Sequence, residues 1–251
     1  MSALRSETVS SFDGTPLAVH RLGEGRPVLM LHGLFSSAEV NWIKYGTAER
    51  VAAQGFECIM PDLRAHGGSG APHDAPAYPA NVLVRDAQAV AEELAFDDYD
   101  LVGFSLGART AVRAVLSGMT PRRLVLGGMG LEGLGNWGNR LDFFIDAIDR
   151  FDQIERGDPA YFAKSFMQTM DIDRVAARLL LHSLSGLDGE ELAGVTMPTL
   201  VVCGKDDQDN GSAPALAEAL PHGTYAEVPG THMSSVVQAK FGEAIATFLA
   251  A

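Results

Sequence analysis

The sequence predicts an α/β protein with a mostly parallel β-sheet, and three observations support this class. Short apolar runs alternate along the chain with amphipathic stretches, which is typical of strands alternating with helices. Runs such as Pro27–Gly33 are apolar throughout, as strands are when helices cover both faces of their sheet. The chain has 251 residues, of which 47% are hydrophobic, so it can bury one large core.

The individual strands and helices can be placed in order. Glu7–Ser11 and Leu17–Arg21 flank the turn signal Asp13-Gly14, which predicts a hairpin at an antiparallel edge of the sheet. Further strands are predicted at Pro27–Gly33, Glu57–Asp62, Tyr99–Ser105, Arg123–Gly128, Pro198–Gly204 and Thr224–Gly230. Helices are predicted near Asn41–Gln54, Asn81–Leu94, Leu106–Leu116, Ala213–Leu220 and Ser235–Leu249.

One interval interrupts this alternation. Between residues 130 and 192 no strand is evident, while 141–154 and 160–170 have the pattern of amphipathic helices. The interval is too long for a loop and too short for an independent domain. We therefore predict a helical insertion at 130–192, with the core formed by residues 1–129 and 193–251.

Charge and composition narrow the partners and the location. The chain carries 19 Lys and Arg against 32 Asp and Glu, a net charge of −13, and such a surface repels phosphate backbones and anionic lipid. Nucleic acid and membranes are therefore not expected as partners. Cys58 and Cys203 lie in apolar runs and are predicted to be buried free thiols, and no CxxC pair suggests a metal site. The first residues contain no apolar signal region, which predicts a cytoplasmic protein.

A candidate nucleophile lies where a predicted strand meets a predicted helix. Gly103-Phe104-Ser105-Leu106-Gly107 has the form GxSxG, in which glycines allow the sharp turn that exposes the serine oxygen. The following helix offers backbone N–H groups and its positive dipole end to a developing oxyanion. A serine that only caps the helix is the simpler alternative.

A serine hydroxyl needs a base and the base needs an acid. Among seven histidines, His232 is favoured because it follows the last predicted strand, at the sheet edge where ligand chemistry occurs in open α/β sheets. The segment CGKDDQDNG, after the preceding strand, offers the acid. Asp207 is preferred; Asp206, Asp209 and, after another strand, Glu132 are the alternatives. The chain order Ser, Asp, His is that of α/β-hydrolases.

These motifs resemble those of the α/β-hydrolase superfamily over nearly the whole chain. Residues 32–35, HGLF, are similar to the family's oxyanion-hole loop, and residues 61–69, PDLRAHGGS, to its D-x-R-x-H-G-x-S loop. In the second loop, Arg64, His66 and Ser69 are interpreted as fixing the backbone through side-chain hydrogen bonds. The resemblance implies the α/β-hydrolase fold, an eight-stranded, mostly parallel sheet flanked by helices, with a helical cap.

The resemblance also implies roles for single residues. The backbone N–H groups of Leu106 and Leu34 would bind the oxyanion, with Phe35 as the alternative to Leu34, and His32 would orient the oxyanion loop. Haloalkane dehalogenases and epoxide hydrolases of the superfamily carry an aspartate where this chain has Ser105. Acyl chemistry is therefore expected.

The insertion resembles the family's cap and is rich in aromatic residues and methionine. Its members are Trp137, Phe143, Phe144, Phe151, Tyr161, Phe162, Phe166, Met167 and Met170. Most of them are expected to pack the cap onto the core. The others, with Phe35 and Phe104, are expected to bind substrate in an apolar tunnel above Ser105. Because the cap has no cluster of Lys and Arg, the substrate is expected to be uncharged.

The leading hypothesis is a carboxylesterase-like serine hydrolase. It would cleave a small or medium apolar ester, thioester or lactone through an acyl-enzyme, using Ser105, His232 and Asp207 and neither metal nor organic cofactor. Hydrolysis of a C–C bond and perhydrolysis would use the same three residues. A non-catalytic protein that binds a small ligand is a third hypothesis. The sequence leaves the natural substrate and the oligomeric state open.

Overall fold

A computed structural model describes residues 3–95, 97–135, 137–184, 186 and 189–251. One sheet of eight strands organises this part of the chain. The strands are β1 (Arg5–Ser10), β2 (Pro16–Gly23), β3 (Arg26–Leu31), β4 (Phe56–Pro61), β5 (Asp100–Phe104), β6 (Leu124–Gly127), β7 (Thr199–Gly204) and β8 (Gly223–Val228). Each predicted strand is confirmed to within two residues at its start and at its end.

The strand order across the sheet is β1-β2-β4-β3-β5-β6-β7-β8. β2 pairs antiparallel with β1 and β4, and the remaining neighbours pair in parallel. The hairpin at the edge and the mostly parallel sheet are therefore confirmed. Because the carboxyl ends of β3 and β5 to β8 point the same way, the segments that follow these strands meet along one edge of the sheet.

Helices cover both faces of the sheet. In the core they are α1 (Thr47–Ala52), α2 (Val82–Glu93), α3 (Leu106–Leu116), α8 (Ala213–Ala219), α9 (His232–Ser235) and α10 (Ala239–Ala250). Two groups of buried apolar residues lie on opposite sides of the strands: alternate residues of β3, such as Leu29 and Met30, belong to different groups. This alternation is why the strands are apolar throughout.

The interval without strands is helical, as predicted. It contains α4 (Leu131–Gly135), α5 (Trp137–Asp149), α6 (Tyr161–Thr169) and α7 (Arg174–Ser183), together with short 3-10 turns. α5 and α6 correspond to the two amphipathic segments of the sequence. The division at residues 130 and 192 stays a prediction, and residues 185, 187 and 188 of the interval lie outside the described residues.

Two local departures from the predicted helices bear on the site. The predicted helix at Asn41–Gln54 is in fact a π-helical turn, Glu39–Ile43, followed by α1. The last predicted helix, Ser235–Leu249, begins only at Ala239 as α10, and a separate short helix, α9, precedes it and begins at His232. Across the described residues, no helix combines the length and the apolar character that crossing a bilayer requires.

Candidate active site

Ser105 stands on a strained turn between β5 and α3. Its backbone has φ 52° and ψ −112°, a conformation that a residue with a Cβ adopts only where the surroundings impose it. The two glycines of the motif explain how the turn closes. A Cβ on Gly103 would lie 2.3 Å from the carbonyl oxygen of Gly107, and one on Gly107 would lie 2.0 Å from that of Leu31. The strand and helix can approach only without these side chains.

His232 reaches the serine from the segment after β8. Its Nε2 lies 3.0 Å from Oγ of Ser105, and its ring stacks on that of Phe104 with centroids 5.0 Å apart. His232 is the first residue of α9, which a reciprocal pair of hydrogen bonds between Thr231 and Ser234 caps. The imidazole is thus held by a ring on one side and a short capped helix at its backbone.

Asp207 is the carboxylate that contacts this histidine. Its Oδ2 lies 2.9 Å from Nδ1 of His232, and its side chain is almost fully buried. Burial alone would raise the pKa of the Asp207 carboxyl, but hydrogen bonds led by that of His232 outweigh burial and lower the pKa. Of the alternatives, Asp206 and Asp209 are exposed, and the Glu132 carboxylate accepts the amide hydrogen of Ser212.

The oxyanion-loop candidates lie beside the serine. A Cβ on Gly33 would approach that of Ser105 to 3.4 Å. Three of the four amides at residues 33 to 36 donate to protein acceptors: Gly33 to Oδ1 of Asn41, Phe35 to Nε2 of His66 and Ser36 to the carbonyl of Gly33. Within the described residues, the amides of Leu34 and Leu106 make no hydrogen bond.

The same loop is held by two neutral histidines. Nε2 of His32 accepts the amide hydrogen of Leu63 at 2.9 Å, so Nδ1 carries the hydrogen and donates to the carbonyl of Gly33 at 2.8 Å. His66 likewise accepts an amide hydrogen, that of Phe35, at Nε2. Its Nδ1 therefore carries the hydrogen and donates to the carbonyl of Arg64. Burial lowers the pKa of both imidazoles, that of His66 to about 3. The expected role of His32 in orienting the loop agrees with this geometry.

A cavity of about 210 Å³ opens at the serine. Its lining comes from the oxyanion loop, the π-helical turn, α6 and α9. The residues are Gly33, Leu34, Ser36, Val40, Asn41, Tyr45, Phe104, Ser105, Phe166, His232, Met233, Val236 and Val237. None of these described lining residues is an Asp, Glu, Lys or Arg.

The two residues predicted to bind substrate are placed differently. Phe104 lines the cavity. Phe35 is not among the described lining residues: its ring is 2% exposed, stacks on His66 and meets Phe144 of α5 edge-on at 5.5 Å. The phenyl ring of Phe35 therefore packs the oxyanion loop against the insertion. The prediction that Phe35 binds substrate is corrected accordingly.

The aromatic residues and methionines of the insertion are placed in different ways. Phe166 lines the cavity, and Phe144, Phe151 and Met167 pack on the core. Phe162, on the same helix as Phe166, is 84% exposed and does neither. The side chain of Trp137 lies outside the described residues.

Sequence reasoning missed a buried ion cluster beneath the second loop. Ser69 and His66 fix backbone groups as expected, but Arg64 bonds mainly to two carboxylates. Its guanidinium donates twice to Asp13 and twice to Asp86, at 2.7 to 3.0 Å, and is fully buried. In the sequence Asp13 indicates only a turn, and Asp86 lies on the buried side of α2. The sequence did carry one signal of this cluster, because Asp86 is an aspartate on an otherwise apolar helix face.

One group of side chains has the proximity of metal ligands. Oxygen and nitrogen atoms of Asp207, Asp209 and His232 lie within 4.8 Å of one another. His232 and Asp207 already bond to each other, and the second nitrogen of His232 faces Ser105. Both ring nitrogens of His232 thus already face protein groups.

An eight-stranded sheet with a serine on a strained turn after β5, and with His and Asp after two later strands, defines the α/β-hydrolase class of proteins. The chain belongs to the alpha/beta hydrolase family, whose sequence model matches residues 28–241. The predicted family, its fold and its identity as an α/β-fold hydrolase are thereby confirmed.

Individual relatives are more distant. N-formylmaleamate deformylase of Pseudomonas putida is 28% identical over 159 residues, which cover 62% of this chain and 56% of the deformylase. An epoxide hydrolase of Caballeronia sordidicola is 34% identical over 111 residues, 44% of this chain and 32% of that protein. The chain thus spans little more than half of the deformylase and about a third of the epoxide hydrolase.

Among solved structures, an esterase from Exiguobacterium antarcticum superposes with a TM-score of 0.79 at 21% identity. The alignment covers 98% of this chain and all of the esterase. An esterase from Thermogutta terrifontis gives a TM-score of 0.77 at 20% identity, with 98% of both chains covered. At these identities the similarity establishes the fold.

Proposed function

We propose that this protein is a serine hydrolase that cleaves small, uncharged carboxylic esters. The observation that carries the proposal is the continuous hydrogen-bonded line from Oγ of Ser105 through His232 to Asp207. A serine on a strained turn, within 3.0 Å of an imidazole whose other nitrogen faces a buried carboxylate, is the arrangement that activates a hydroxyl. A protein that only binds a ligand would not need these three groups in line.

The reaction follows from the positions of these groups. Oγ of Ser105 attacks the carbonyl carbon while Nε2 of His232 takes the hydroxyl proton, and Asp207 stabilises the resulting imidazolium. The amides of Leu106 and Leu34, which have no protein acceptor among the described residues, bind the oxyanion. Collapse of the intermediate expels the alcohol, which leaves with the proton from His232. Water then attacks the acyl-enzyme, with His232 again as the base, and releases the acid.

The cavity supports an uncharged substrate. At about 210 Å³ it is smaller than the roughly 300–1,000 Å³ of sites for drug-sized ligands, so a short acyl or alcohol group fits. Within the described lining no Lys or Arg is available to pair with a substrate carboxylate. Phe104, Phe166 and three valines make the walls apolar.

Cleavage of a small formamide is the second candidate, and the deformylase relative favours it. The same serine, base and oxyanion donors serve an amide carbonyl. The similarity to an epoxide hydrolase does not support epoxide hydrolysis in the same way. That reaction needs a carboxylate that is alkylated, and Ser105 stands at the position of the nucleophile.

The first experiment is labelling with a fluorophosphonate followed by mapping of the modified peptide. We expect a single adduct on Ser105 that is lost in the variant His232→Ala. Turnover is then measured with p-nitrophenyl esters of increasing chain length, with a formanilide and with a diketone as the C–C substrate. Ester turnover that falls about 10⁴- to 10⁶-fold in Ser105→Ala supports the proposal. A folded wild type that takes no label and cleaves no ester refutes it.

A further inference from the structure

The oxyanion loop presents two neighbouring amides, those of Leu34 and Phe35, of which only one is without an acceptor in the described chain. Adjacent amides in one loop can compete for a developing negative charge, and an oxyanion hole works only when its donors are fixed beforehand. The group that removes one amide from this competition therefore determines the geometry of the hole. That group is His66, whose Nε2 accepts the Phe35 amide hydrogen at 2.9 Å.

We propose that His66 is a positioning residue that selects Leu34 as the second oxyanion donor. It does so by binding the amide of Phe35 and thereby withdrawing it from the cavity. The inference rests on the proposed function, because it assigns a role in forming the same oxyanion hole.

The conformation of Phe35 supports this role. Its backbone has φ 57°, in the left-handed region, which surrounding contacts must impose on a residue with a side chain. His66 supplies contacts at both ends of the residue, since its Nε2 binds the amide and its ring stacks on the phenyl ring with centroids 6.4 Å apart. Phe144 closes the other side of the phenyl ring. Phe35 is thus an anchor of the loop.

His66 is itself held rigidly. Its Nδ1 donates to the carbonyl of Arg64 at 2.9 Å, and its ring meets that of His32 edge-on at 5.2 Å. Both imidazoles accept a backbone N–H at Nε2, which only a neutral ring with its hydrogen on Nδ1 can do. His32 fixes the carbonyl of Gly33 while His66 fixes the amide of Phe35, so the two rings hold the peptides on either side of Leu34.

The test compares two substitutions of His66. In His66→Leu the Phe35 amide loses its acceptor. We expect kcat for p-nitrophenyl acetate to fall about 10- to 100-fold, part of the effect of deleting one oxyanion donor, while KM changes little. Affinity for an aryl trifluoromethyl ketone, whose adduct places an oxyanion in the same hole, should fall in parallel. In His66→Gln the side-chain oxygen can still accept the amide hydrogen, and most of the loss should be recovered. His222→Leu, which removes an exposed histidine, is the matched control.

A second measurement does not depend on turnover. Long-range ¹H–¹⁵N spectra of the imidazoles in the wild type should find His66 neutral at pH 7 with its hydrogen on Nδ1. A hydrogen on Nε2, or a folded His66→Leu variant with unchanged kcat and inhibitor affinity, overturns the inference. Failure of the proposed function looks different: the wild type would take no fluorophosphonate label while His66 showed the expected tautomer.

Discussion

Sγ of Cys203 lies 3.3 Å from Oδ2 of Asp207, the same oxygen that faces Nδ1 of His232. The thiol is buried at the end of β7, and burial together with the Asp207 charge raises its pKa to about 12, so it is a neutral donor. The predicted buried free thiol is confirmed, and its contact with the acid adds a third hydrogen bond to this carboxylate beside those from His232 and the Asp209 amide.

The thiol should contribute modestly to the function of Asp207. In Cys203→Ala we expect kcat/KM to fall about two- to fivefold, as for the loss of one weak hydrogen bond. Cys203→Ser, whose hydroxyl can donate to the same oxygen, should retain the activity. The comparison is made with p-nitrophenyl acetate at neutral pH. A serine variant that loses as much as the alanine variant would show that packing, rather than donation, is what matters there.

Asp207 and its neighbour Asp206 form a natural pair for testing the acid. Asp207→Asn keeps the shape but removes the charge that stabilises the imidazolium, and we expect kcat to fall about 10³- to 10⁴-fold. Asp206→Asn alters an exposed carboxylate one residue away and should leave kcat unchanged. Steady-state kinetics of both variants decide the assignment. Equal losses in the two variants, or a larger loss in Asp206→Asn, would contradict it.

The sequence predicted the strand ends well and the side-chain partners less well. Ser105, Asp207 and His232 each follow an apolar run, and the carboxyl ends of parallel strands must meet at one edge, so their proximity could be inferred. Phe35 was misjudged because its role depends on φ 57° and on a ring from α5, and neither is encoded in local periodicity. The partners of Arg64 were missed for a similar reason: Asp13 and Asp86 are 51 and 22 residues away in sequence.

Asp62 should make stability depend on pH in the acid range. Its carboxylate accepts the amides of Ala38 and Gly68 at 2.8 Å and faces Nε2 of His20 at 3.6 Å. Burial would raise the pKa of Asp62, but these partners, led by His20, lower it to about 2. A pKa lowered by folding adds stability above the unfolded value of 3.8, and this stability is lost as the pH falls from there to about 2.

The complete loss attributable to this group, reached below about pH 2, is about 2 kcal/mol, and about 1 kcal/mol of it falls between pH 7 and pH 3. Urea unfolding of the wild type at pH 7 and pH 3 should therefore differ by more than that of Asp62→Asn, whose side chain does not titrate. Asp62→Asn should also be less stable at pH 7, since its single amide oxygen can replace only one of the two carboxylate oxygens that accept the amides of Ala38 and Gly68, and its NH2 group cannot accept a hydrogen bond. Parallel pH dependence in the two proteins would rule out this contribution.

Arg64 should be among the most sensitive positions for stability. Its fully buried guanidinium pairs with Asp13 and with Asp86, and the Asp86 carboxyl is itself buried, so burial already raises its pKa. Arg64→Met leaves this carboxyl without its cation, and we expect a loss of about 3–5 kcal/mol in the free energy of unfolding.

The control for Arg64 is Arg122→Met. That residue forms an exposed pair with Asp98 at 3.4 Å, and such a pair contributes less than about 1 kcal/mol. Urea unfolding at pH 7 measures both. Similar losses for the buried and the exposed arginine would mean that the cluster beneath the second loop does not stabilise the fold as inferred.

Phe166 should limit the length of the acyl chain that the site accepts. Among the described residues of α6 it is the one that lines the cavity, together with Ser105, Phe104 and Val237 from other elements. Phe166→Ala enlarges the cavity, so kcat/KM for p-nitrophenyl octanoate should rise about tenfold relative to the acetate, the effect of one or two added methylene contacts. Phe162→Ala is the matched control on the same helix, because that ring is 84% exposed and lies outside the cavity lining. A ratio of octanoate to acetate that stays at the wild-type value in Phe166→Ala, or that shifts equally in Phe162→Ala, would show that α6 does not bound the substrate.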